Sequence, residues 1–138
     1  MRIKRLNYRN PEFASQIYVA PLEGPFTYDK TTIDSVIPEG IPGNYILGDL
    51  NADGDLEVRY VGRSDSDLRT RIGHDIGKYS HFYFSIAESA REAYNQECLM
   101  WHQYGGEEGE LDNDIHPDKP DGDHSAECYI CKLMEAMK

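Results

Sequence analysis

Positive charge is scarce in this chain. Against 25 aspartates and glutamates stand 14 lysines and arginines, a formal net charge of −11. That excess repels polyanions over most of a surface, and it argues against broad, non-specific nucleic-acid binding. Long hydrophobic runs are missing as well. No apolar stretch approaches the roughly 18 residues that span a bilayer, which removes a membrane partner. Basic Met1–Arg5 is followed by polar Asn7, Arg9 and Asn10 where a signal peptide would carry its apolar segment, so the expectation is a soluble, cytoplasmic protein. Cysteines number 3, two of them in Cys128-x-x-Cys131, which suits a reducing compartment and excludes a disulfide scaffold. Internal repeats and low-complexity tracts are absent, and 138 residues suffice for a single core, hence one domain over 1–138.

What charge there is clusters. Four acids fall between Asp49 and Glu57, five between Glu107 and Asp114, and three between Asp118 and Asp123. Such runs read as solvated loops. Between them lie Arg59, Arg63, Arg69, Arg71 and Lys78, so a basic face can persist on an acidic protein.

Hydrophobic periodicity gives the elements. "QIYVAPL" reads as a short strand ended by Pro21, and "TTIDSVIP" as a short helix capped by Thr31 or Thr32 and stopped by Pro38. Tyr45 and Leu47, then Leu56, Val58 and Tyr60, alternate with small or polar residues, which predicts two half-buried strands. The connection "DLNADGDLEVRY" permits two readings. Asp49, Asn51, Asp53 and Gly54 match positions of a calcium loop, but position 12 is Tyr60, where an acid is required. Asp53-Gly54 is also a favoured hairpin turn, because both residues tolerate positive φ. The hairpin accounts for both flanks. A helix capped at Ser64, Asp65 or Ser66 follows, burying Leu68, Ile72 and Ile76 and ending at Gly77. "HFYFSIA" reads as a third strand, and "ESAREAYNQECLMWHQYGG" as a well-buried helix. An acidic loop leads to a last helix, with Leu133, Met134 and Met137 on its apolar side. The predicted class is α+β: a small three-stranded antiparallel sheet with flanking helices in β-β-α-β-α order, plus an extra C-terminal helix. Residues 43–117 form its core, 1–42 an N-terminal extension, and 118–138 the C-terminal loop and helix.

The hairpin carries "GNY" at the start of one strand and "YVG" at the end of the next. With "YVGRSDSDLRTRIGHD" and "EAYNQE" downstream, residues about 43–117 resemble the GIY-YIG nuclease superfamily. Asn44 departs from the apolar middle residue of the first tripeptide. The resemblance implies a metal-dependent endonuclease hydrolysing phosphodiester bonds, with DNA the favoured substrate and RNA the alternative. It makes Tyr45 and Tyr60 the base and water-positioning pair and Arg71 the catalytic arginine, and it makes Glu97 both catalytic and the ligand of one Mg²⁺ or Mn²⁺. Asn113 is the match to an asparagine that closes the motif. Arg63, directly after "YVG", and His74, three residues after Arg71, are candidate substrate contacts; His81 is a further one.

Those residue types suit the chemistry. An arginine fork matches phosphate oxygens, and a glutamate gives a hard oxygen to a divalent cation. With no added DNA-reading domain visible in the sequence, specificity would come from a protein partner or be low. The alternative is a weakly active or inactive module of the same fold that binds nucleic acid or protein. Finally, His116, His124, Cys128 and Cys131 are four potential zinc ligands, but the histidine spacing fits no standard finger. The Cys-x-x-Cys pair is therefore read as structural thiols, and zinc is not assigned.

Overall fold

A computed structural model describes residues 3–4, 21–113, 115–123 and 125–136. Strands β1 (Ile3–Lys4), β2 (Glu23–Thr27), β3 (Gly43–Leu50), β4 (Leu56–Ser64) and β5 (His81–Ile86) form one sheet in the order β1-β4-β3-β5-β2. The helices are α1 (Lys30–Val36), α2 (Leu68–Ile72), α3 (Ala90–Gln103) and α4 (Tyr129–Ala136). The class is α+β, yet the sheet is larger than the three strands expected. The run β4-β3-β5-β2 is antiparallel throughout, and β1 adds a two-residue parallel pairing at the β4 edge. Strand β2 was missed because "EGPFT" combines Gly and Pro, residues that weaken a strand signal. Residues 16–20 of the expected "QIYVAPL" strand lie outside the described residues.

Strand β3 is buried on both faces rather than half-buried. Tyr45 and Leu47 point to a core with Tyr28, Ile33, Ile37, Leu68, Ile72, Phe82 and Phe84, under α1 and α2. Ile46 points the other way, to Val61, Tyr83, Met100, Trp101 and Tyr104 under α3. On that second face Asn44, 1 % exposed, donates from Nδ2 to the Ala93 carbonyl at 2.7 Å. The polar departure in the first tripeptide thus ties β3 to α3 one turn before Glu97.

Local chemistry explains the joints, and some of it differs from expectation. Asp29, not Thr31 or Thr32, caps α1, accepting from Thr32 N at 2.8 Å. Helix α2 is short and passes into a 3₁₀ turn at Gly73–Asp75, which leaves Ile76 42 % exposed instead of buried. Only Gly54 in the hairpin takes a positive φ, +83°; Asp53 does not. There the Asn51 side chain closes the loop instead, its Oδ1 accepting from Asp53 N at 2.9 Å and Asp55 N at 3.0 Å. Asp49 Oδ1 accepts from Ser80 N at 3.0 Å, so two of the calcium-loop oxygens are committed to the backbone. Among the described side chains of α4 the buried one is Ile130, with Leu133 half-buried and Met134 37 % exposed; Met137 lies outside the described residues. No helix among the described residues is long and apolar enough to cross a membrane.

Candidate active site

The β3–β4 register sets the first part of the site. Tyr45 pairs with Gly62 and Tyr60 with Leu47, so both tyrosines stand on one face of the sheet as diagonal neighbours. Their rings stack at 6.1 Å with 17° between planes. Gly62 makes this possible, because a Cβ there would lie 2.2 Å from Tyr45 Cζ. The ring lies across the bare backbone of the second tripeptide. Tyr79, unremarked in the sequence, extends the row at 6.5 Å from Tyr60 and donates its hydroxyl to Asp112 at 2.7 Å.

Helix α2 delivers Arg71 over this pair. Burial alone would lower its pKa, but hydrogen bonding to Tyr45 and Tyr60 raises it. The neighbouring Arg69 turns away and binds the Ile37 and Asp34 carbonyls and Glu39. Tyr45 is 2 % exposed; burial first, then Tyr60, raises its pKa, while Arg71 opposes them.

From the opposite face α3 delivers Glu97, a carboxylate 9 % exposed. Its Oε1 accepts from Arg63 Nη1 at 2.6 Å, and Arg63 Nε donates to Asp65 at 2.7 Å. The same guanidinium lies 5.2 Å from the Tyr94 ring centre. Burial still raises the Glu97 pKa, with Arg63 and Arg71 only partly offsetting it. The two layers meet in an open cleft of about 650 Å³ along β4, bordered by Tyr60, Arg63, Arg71, Glu97, Asp112, Asn113 and residues 115–118. Among the described residues its lining holds two cations, Arg63 and Arg71, against four carboxylates, those of Asp65, Glu97, Asp112 and Asp118.

The remaining expected contacts fall differently. Asn113 borders the cleft, but its amide is committed to the backbone. Nδ2 donates to Val61 O at 2.6 Å and Oδ1 accepts from Val61 N at 3.2 Å, continuing the sheet at the β4 edge. Arg63 serves Glu97 and Asp65 before any ligand. His74 is exposed on the 3₁₀ turn and His81 contacts Ser80, and neither lines the cleft.

A second group of ligand-type side chains stands behind the cleft wall. His102, His116, Cys128 and Cys131 bring one donor atom each to within 4.8 Å of one another. His102 was overlooked in the sequence because it lies inside the apolar pattern of α3; His124 lies outside the described residues. The Cys128 thiol is pulled down to about 3, first by a hydrogen bond from Cys98 and further by His102, the Cys131 N–H and His116. Cys98, fully buried, moves the opposite way. Comparison with known proteins finds no matching family model, no similar curated protein and no similar solved structure.

Proposed function

We propose that the protein is a GIY-YIG-like, metal-dependent endonuclease that hydrolyses phosphodiester bonds, in DNA before RNA. The observation that carries this reading is the convergence, in one open cleft, of an arginine facing two stacked tyrosines with a buried glutamate from the opposite layer. Its strands and helices over residues 43–103 follow one another as β-β-α-β-α, which supports the same family.

The residues present fit one Mg²⁺ or Mn²⁺. Among the described residues lining the cleft Glu97 is the buried carboxylate, and Arg63 and Arg71 offset only part of the burial that raises its pKa. Four acids to two bases would otherwise repel a phosphate. A hard cation held by one carboxylate oxygen and water suits such a site. Bound there, it would supply positive charge to the scissile phosphate and the leaving oxygen.

Arg71 holds the phosphate oxygens with a planar fork and stabilises the charge that grows on them. Tyr60, which lines the cleft, orients the attacking water beside Arg71, and the proton that the water gives up leaves through the open cleft to solvent. Tyr45, buried behind it, orients Arg71. Arg63 holds Glu97 in place and is the first cationic contact for an entering strand. The three free thiols suit a reducing, cytoplasmic setting, and a protein partner would supply sequence specificity.

One observation favours the second reading, a module of this fold that binds without cutting: Arg63 already neutralises Glu97 at 2.6 Å. Supercoiled, single-stranded and branched DNA, and RNA, incubated with Mg²⁺ or Mn²⁺ separate the two. Cleavage that is lost in Glu97→Gln supports the enzyme. Salt-sensitive binding with no cleavage of any substrate supports the module.

A further inference from the structure

Behind the cleft wall, four side chains face one another with no role in the reaction just described. His102 ends α3, His116 belongs to the cleft wall, and Cys128 and Cys131 lie on either side of the start of α4. Cys131 Sγ lies 3.4 Å from His102 Nε2 and 3.5 Å from His116 Nε2, and Cys128 Sγ lies 3.5 Å from His102 Nε2. Sulfur at about 2.3 Å and nitrogen at about 2.0 Å from a common tetrahedral centre are separated by about 3.5 Å. The observed spacings are those of ligands around one ion.

The outer contacts agree. His102 turns Nδ1 to the Glu107 carboxylate, and His116 turns Nδ1 to the Pro117 carbonyl at 2.9 Å. Both contacts want an N–H on Nδ1, which leaves the Nε2 lone pair of each ring facing the sulfurs. The Cys131 N–H donates to Cys128 Sγ at 3.4 Å, a bond that favours thiolate. Two imidazole nitrogens and two cysteine sulfurs make a soft donor set, which selects zinc over the hard cations.

We infer that His102, His116, Cys128 and Cys131 bind one structural Zn²⁺. The site is closed, since the protein fills all four positions, so the ion does no chemistry on a substrate. It joins three segments far apart in sequence. Through His116 it fixes the cleft wall, and through the cysteines it docks α4 on α3. Trp101, the single tryptophan, lies edge-on to His102 at 5.0 Å and to His116 at 5.2 Å, and donates to Asn113 O at 2.8 Å. Its fluorescence therefore reports occupancy without any assay of activity.

The full chain, purified under reducing conditions without chelator, should contain about one zinc per molecule by elemental analysis. Exchange for cobalt should give the visible d–d and thiolate charge-transfer absorption of a tetrahedral site, with a change in Trp101 emission. Cys131→Ser, at an exposed position, should lose the metal, while Cys98→Ala should keep it. The native chain carries the test even where Cys131→Ser fails to fold. Zinc-free protein that gives no tetrahedral cobalt spectrum would overturn the assignment, as would a Cys128–Cys131 disulfide in place of the metal or full zinc content in Cys131→Ser.

Discussion

Two clusters of polar side chains meet at the cleft wall, and they are built on opposite principles. The cleft is open and electrostatically unbalanced, with four carboxylates around two arginines and a glutamate buried at a cost. The His/Cys cluster is closed and balanced, each histidine fixed by an outer acceptor and one sulfur receiving a backbone N–H. Imbalance is what a reacting group can use, since an incoming cation or phosphate completes it. Balance fixes shape. Asn113 and His116 link the two: Asn113 pairs with β4, and His116 faces the sulfurs.

Three perturbations sharpen that contrast. Removing zinc should have the largest effect, because apparent zinc-binding energies in small peptides are about 10–16 kcal/mol. The buried cluster that docks α4, Tyr94, Cys98, Leu99, Ala126, Cys128 and Ile130, is small and separate from the two sheet cores. Chelation should therefore raise amide exchange about a hundredfold or more across 105–136 while β3, β4 and β5 stay protected. Uniform loss of protection across the chain would show that the clusters are not separable.

Gly62→Ala attacks the other side. Its Cβ would meet Tyr45 at 2.2 Å, and the ring is buried and stacked on Tyr60, so it cannot swing away. The expected loss is about 1–3 kcal/mol of stability, measurable by chemical denaturation, with the cobalt spectrum unchanged. A neutral Gly62→Ala would mean that the tyrosine pair is not held against β4.

The smallest effect concerns Glu97. Its folded-state pKa lies above the ordinary 4.5, so the native state holds the proton more tightly than the unfolded chain. That contribution to stability is present below pH 4.5 and is lost as pH rises through the folded value. Glu97→Gln lacks the titration. The difference in Tm, variant minus native, should grow as pH rises through this window; a difference that shrinks would mean that Arg63 outweighs burial.

Much of the cleft could be read in advance because its residues lie on periodic elements. The alternation around "NADGD" locates β3 and β4, and their tripeptides put Tyr45 and Tyr60 within one residue pair of each other. Arg71 and Glu97 come from the resemblance rather than from period, and the structure turns Arg69 away to the Ile37 and Asp34 carbonyls. Arg63 is different, since its partner lies 34 residues away on another layer and no local pattern announces it. The His/Cys cluster is non-local in the same way. His102 and Cys128 are 26 residues apart, joined by a loop with no period to count. The two-sided burial of β3 was also hidden, because the cover on one face is shared between the short helices α1 and α2, which give little period to count.

The central claim is that Arg71 and Glu97 serve one phosphodiester cleavage by different means. Single-turnover cleavage of DNA in Mg²⁺ or Mn²⁺, measured beside divalent-metal affinity for the native chain, Arg71→Ala and Glu97→Gln, tests it most directly. The account predicts that Arg71→Ala binds metal almost normally but cleaves about a hundredfold or more slowly, as when one preorganised donor is lost, while Glu97→Gln, still folded by circular dichroism, loses both metal affinity and cleavage. Cleavage at the native rate in either variant, or metal affinity unchanged in Glu97→Gln, would contradict it.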